Sequence, residues 1–175
     1  MDSTVIETDI HYPTDSRLLG DSVEVLGRLL SRARDICRPR SPSAKQVFRN
    51  SSRSAKRLTY RIIHRLRTRN GQKKPETLAE PLYRQLVKLT RTPVEHGDPV
   101  AVQLRRVGTP RAHALAESLH HYSELVMRVI DQTVRRVFNH ESVPADEKIV
   151  SLFETHTAII RRSSEENTSE LQSPV

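Results

Sequence analysis

The sequence predicts a mainly α-helical bundle, and three observations predict it. Apolar residues recur three and four apart along several long segments, the repeat of a helix that buries one face. Proline, glycine and serine gather between those segments, where helices stop and start. The composition, with 35% apolar and 29% charged residues, no Trp and three Phe, is lean for a large core but sufficient for narrow helical stripes. A length of 175 residues fits one domain, or one domain with an appendage.

The first element departs from the helical pattern. Thr4, Val5, Ile6, Thr8, Ile10 and Tyr12 are strand formers, so residues 1–13 read as one N-terminal strand. Pro13 ends it, and Thr14 or Asp15 caps the helix after it. Strand alternation puts Asp2 on the side of Thr4, Ile6, Thr8 and Ile10, with Glu7 and Asp9 on the other.

A basic helical region then covers 14–141. Its first helix spans about 15–37, with Leu19, Val23, Leu26, Leu30, Ala33 and Cys37 as the stripe and Leu18, Val25, Leu29 and Ile36 widening it. Pro39 and Pro42 end it. A second helix spans about 43–69, with Val47, Ser51, Ala55, Leu58, Ile62 and Leu66 inward, Phe48, Tyr60 and Ile63 beside them, and Asn70-Gly71 as its stop. The small residues Ser51, Ser52, Ser54 and Ala55 permit close approach of a neighbour. A third helix spans about 76–91 on Leu78, Leu82, Leu86 and Leu89, with Pro81 as a kink or restart. Residues 92–99 hold Pro93 and Pro99 and read as a loop, followed by a short helix over 100–107. Thr109 as N-cap with Pro110 in the first turn opens a fourth helix over about 110–140, striped by Leu115, Leu119, Tyr122, Val126, Val129 and Val137.

Residues 142–162 are a link with two short strand segments, 149–153 and 158–160, although 149–153 also suits a short helix. Residues 163–175 have no apolar periodicity and are expected to be disordered. They resemble a translated sequencing adapter, Arg-Ser-Glu-Glu-His-Thr-Ser-Glu-Leu-Gln-Ser, apart from Asn167 and a doubled serine. On that likeness they are a non-native tail.

The net charge of +8 is unevenly spread: between Arg28 and Lys74 sixteen Lys and Arg face a single acid, Asp35. Such a field seeks a polyanion or stays spread in solvent. Arg49, Arg53, Arg57, Arg61 and Arg65 form a ladder four apart, with Lys56 beside it, suited to tracking a phosphate backbone. Solvated helix faces generally mix signs, which favours nucleic acid. No motif indicates which base sequence is read. One cysteine excludes an internal disulfide and fits a reducing cytoplasm. No apolar run approaches the ~20 residues of a membrane span, and the start lacks a signal-peptide pattern. The expected location is the cytoplasm.

The stretch Asp2-Ser3-Thr4-Val5-Ile6-Glu7-Thr8-Asp9-Ile10-His11-Tyr12-Pro13-Thr14-Asp15-Ser16 resembles the first-aspartate motif of DDE-type insertion-sequence transposases with an RNase H-like core, of the ISNCY type or a close neighbour. The likeness extends through Glu147-Lys148-Ile149-Val150-Ser151-Leu152-Phe153-Glu154-Thr155-His156-Thr157. The resemblance implies that the helices are an insertion in an RNase H-like α/β core. It also implies Mg2+-dependent phosphoryl transfer on DNA by three carboxylates, self-association of the intact protein, and Asp2 as the catalytic, metal-binding first aspartate. The other two carboxylates of such proteins lie beyond the matching segment. The chain is thus expected to be a truncated, inactive piece that still binds DNA. The alternative is a free-standing basic helical protein that binds nucleic acid or a partner helix without catalysis.

Two further candidates carry less. His113, Glu117 and His121 stand four apart, but three ligands over two turns do not comfortably reach one ion, so exposed side chains are the expectation. Cys37 lies on the apolar stripe and reads as a small core residue.

Overall fold

The computed structural model describes residues 14–37, 50–67 and 75–153. Four helices make up most of it: α1 (Asp15–Cys37), α2 (Ser52–Arg67), α3 (Pro75–Val107) and α4 (Pro110–Thr133). A π-helical turn, Val134–Phe138, prolongs α4. No strand occurs among the described residues. The anticipated strand over 1–13 and the tail from 154 lie outside them.

The first helix matches its stripe. Leu19, Val23, Leu26 and Ala33 are fully buried, and Leu30 and Cys37 nearly so. Helix α1 touches α2, α3 and α4, whereas α2 touches α1 and α3 but not α4. The pairings run in opposite directions. Asp15 meets Gln132 and Arg136, whereas Leu29 and Ile36 face Leu115 and Arg111 across a groove. Helices α1 and α4 are therefore antiparallel. Thr59 donates to the Ser16 carbonyl at 3.0 Å, and Asn50 and Ser52 sit over Gly27, so α2 is antiparallel to α1 as well. A Cβ on Gly20 would stand 2.8 Å from Thr59 Oγ1; the missing side chain is what lets α2 lie this close.

The second helix starts later than its periodicity implies. Asn50 and Ser51 are not helical, because the Asn50 side-chain oxygen accepts from the Ser52 backbone N–H at 3.0 Å and the Ser52 hydroxyl at 2.6 Å. This local bonding competes with helix and suits a start. Residues 43–49 lie outside the described set.

The loop expected over 92–99 is instead helix, and α3 runs unbroken through Pro81, Pro93 and Pro99. Each proline removes one N–H from the ladder. Burial offsets that loss, since Pro93 is fully buried and Thr90, Leu86, Ala101 and Leu104 share the covered face. Tertiary packing has overridden local preference, as it commonly does for helices. Gly108, at φ +73°, then turns the chain. Thr109 caps α4 by accepting from the Ala112 N–H at 3.3 Å, with Pro110 in the first turn, the start the sequence indicates.

Helices α3 and α4 pack antiparallel through Arg105–Glu117 and Asp98–His120. At their crossing a Cβ on Gly97 would lie 2.4 Å from the Ser123 hydroxyl, which is itself buried without a hydrogen-bond partner. This yields a direct test. Gly97→Ala alone forces Ser123 to move and is expected to lower the melting temperature. The double variant Gly97→Ala/Ser123→Ala removes both the clash and the orphaned hydroxyl while replacing a helical glycine. It should exceed wild-type stability by about 1 kcal/mol, read by thermal unfolding.

Residues 149–153 are held by side-chain bonds to α4. Residues 149–153, anticipated as strand or short helix, are irregular. The Gln132 amide receives the Ile149 N–H at 2.8 Å and donates to its carbonyl at 3.3 Å, doing for one residue what a neighbouring strand would do. Ile149 and Leu152 are buried beneath.

Candidate nucleic-acid interface

Helix α2 is anchored by one side only. Ala55 and Ile62 are fully buried, Leu58 and Leu66 half-buried, and all lie on the face against α1 and α3. With 100° per residue, the opposite face carries Lys56, Tyr60, Arg53, His64, Arg57, Arg61 and Arg65 in angular order, all exposed. Successive arginines of the ladder are about 6 Å apart along the axis. Of the expected set, Arg53, Lys56, Arg57, Arg61 and Arg65 thus share one solvent-facing arc, and Arg49 lies outside the described residues.

The charge of this face is uncompensated. Helix α2 contains no Asp or Glu, whereas α1, α3 and α4 each contain at least three. Several arginines elsewhere are paired: Arg28 with Glu24, Arg34 with Asp35, Arg84 with Glu80, Arg105 with Glu117, and Arg135 with Glu141 and Glu147. Hydrogen bonds from Asn139 and Arg135 hold the Glu141 carboxyl below its ordinary pKa. Among the described residues no ion pair engages Arg53, Lys56, Arg57, Arg61 or Arg65.

No family model, curated protein or solved structure matches the chain.

Tyr60 is a correction to the sequence reading. Taken there as a flank of the buried stripe, it is 60% exposed and stands in the middle of the cationic arc. The signal was available in the spacing Lys56–Tyr60–His64, four apart on the outward side. Beside it, Arg17, Asp21, Lys56, Thr59 and Ile63 line a cleft of about 300 Å3 between α1 and α2. Partial burial and the neighbouring Glu24 raise the pKa of Asp21, against the pull of Arg17.

The remaining candidates take other places. Asp2, with Glu7 and Asp9, lies outside the described residues, so no magnesium site is built on it. His113, Glu117 and His121 are exposed; Glu117 pairs with Arg105 at 3.1 Å, and the His121 ring stands edge-on to Tyr122. Among the described residues no group of three His, Cys, Asp or Glu is placed to hold a metal ion, and no helix is long and apolar enough to cross a membrane. Cys37 is buried on the α1 stripe. Asp15, expected as a cap, begins α1 but is buried, bonded to Gln132 and Arg136.

Proposed function

We propose that this chain binds DNA, with the outward face of α2 lying along the phosphate backbone, and that it is a helical region of a DDE-type transposase. The observation that carries the binding is the acid-free arc of Arg53, Lys56, Arg57, Arg61 and Arg65, exposed and without ion-pair partners among the described residues. Guanidinium groups suit phosphate oxygens, offering charge and forked donors together. Such contacts give affinity and register, not base specificity. With about six phosphates neutralised, the affinity should fall with salt at a log–log slope of about −5. An electrophoretic or anisotropy titration from low to moderate salt measures it, and affinity that does not change with salt would refute the reading.

The transposase assignment rests on the sequence resemblance of Asp2–Ser16 and Glu147–Thr157. In that setting Asp2 is the first magnesium ligand, and the helices are an insertion that grips DNA beside an RNase H-like core. A free-standing basic helical protein is the second reading. It is favoured by one observation: the described helices bury an apolar core among themselves. The neighbouring coding sequence separates the two. Further carboxylate-bearing strands in the same frame support the transposase, and their absence supports the free-standing protein.

A further inference from the structure

Phosphate binding does not explain Tyr60. An electrostatic face needs cations, and an exposed aromatic ring on it adds nothing to counterion release. Among the described residues, four large apolar side chains are exposed, Tyr60, Val102, Met127 and Phe153, and of these only Tyr60 lies within the cationic arc. Its ring also walls the α1–α2 cleft. That cleft is unlike the rest of the face: Arg17 and Lys56 contribute charge, Ile63 an apolar surface, and Asp21 a carboxylate with no ion-pair partner among the described residues.

We infer that this cleft receives an unpaired base of single-stranded nucleic acid, stacked on Tyr60, while Lys56, Arg53 and Arg57 hold the adjoining phosphates. The inference rests on the α2 face being the nucleic-acid surface and names the form of nucleic acid it prefers. Aromatic rings interleaved with cations are how proteins hold single strands, because every base presents a π face once it leaves the duplex stack. A duplex keeps its bases stacked and shows this face only phosphates. Asp21 accepts from an exocyclic amino group, as carboxylates do from cytosine N4, so amino-bearing bases fit better than thymine. Gly20 lines the same cleft, at the point where α1 and α2 approach most closely through Thr59.

The test uses the full chain and labelled oligonucleotides of equal length: a mixed-sequence single strand, its duplex, an abasic sugar–phosphate strand, and the ribo version of the single strand. The base-bearing strand should bind about ten-fold tighter than the abasic one and tighter than the duplex. Tyr60→Ala should remove that difference and Tyr60→Phe should keep it; because the side chain is exposed, neither is expected to disturb folding. A matching gain on the ribo strand assigns the chemistry to the base alone, and a gain on one sugar only names the natural strand. Equal binding of base-bearing and abasic strands, a preference for duplex, or a difference that survives Tyr60→Ala would each overturn the inference. In those cases salt-dependent binding would still leave the α2 reading standing. Failure to bind any strand removes the α2 reading as well.

Discussion

Replacing Arg53, Arg57, Arg61 and Arg65 together by alanine is expected to reduce DNA affinity by a factor of about 10² or more at moderate salt. If each guanidinium neutralises one phosphate, losing four flattens the log–log salt slope by about 3.6. The fold should survive. All four side chains are exposed, alanine is the best helix former, and removing like charges four apart relieves repulsion along α2. The control is a second quadruple variant at Arg28, Arg34, Arg84 and Arg105, each of which has a carboxylate partner. Both variants lower the formal charge of +8 by four, so bulk charge is matched and only position differs. A cation already beside a carboxylate releases fewer counterions from DNA, so the control should lose much less affinity. Equal losses in the two variants would mean that net charge, not the α2 face, governs binding.

The parts of this fold that were legible in the sequence are those in which local preference and tertiary demand agree. Helix α1 has an uninterrupted stripe, and its residues Leu19, Val23, Leu26, Leu30, Ala33 and Cys37 are buried as the spacing indicates. The start of α4 was readable from Thr109 and Pro110, because capping is a contact between residues three apart. Disagreement appears where long-range packing decides. Three prolines argue for a break in 75–107, yet buried Pro93, Leu86 and Leu104 make a continuous α3 the better use of the core. Residues 149–153 have strand composition but no strand beside them among the described residues; Gln132, seventeen residues earlier, supplies backbone partners to Ile149. The cationic ladder was readable because a period of four is itself helical. The Tyr60 cleft was not, since Arg17 and Asp21 reach it from another helix.

The role of Asp15 shows most sharply what spacing cannot reveal, and it leads to the largest expected loss of stability. Asp15 is 6% exposed, and its carboxylate accepts from Gln132 Nε2 at 2.9 Å and Arg136 at 2.7 Å. Gln132 in turn holds both backbone groups of Ile149. One buried chain of bonds therefore joins the start of α1, the end of α4 and the C-terminal segment. Nearby, the Tyr83 phenol bonds Ser16, and burial raises its pKa. Asp15→Ala leaves Arg136 without its carboxylate and weakens the hold on Gln132. A fully buried pair broken in this way costs about 3–5 kcal/mol; Arg136 is partly solvated, so about 2–3 kcal/mol is expected, or roughly 5–10 °C in melting temperature. Gln132→Glu is the sharper probe. A glutamate cannot donate to Asp15 or to the Ile149 carbonyl, and it brings a second carboxylate to within hydrogen-bond range of the first. Like charges at that distance do not both ionise without cost, so the variant should be strongly destabilised at neutral pH. The pH dependence has a definite sign: the pair takes up a proton more readily folded than unfolded, so acidification toward the carboxylate range restores stability to Gln132→Glu while giving the wild type no such gain. Thermal unfolding across pH measures this. Hydrogen exchange adds a local readout, because the Ile149 amide should lose its protection in Gln132→Leu, where no oxygen remains to receive it. A Gln132→Glu variant with wild-type stability at neutral pH would show that this chain of bonds does not hold the helix ends together.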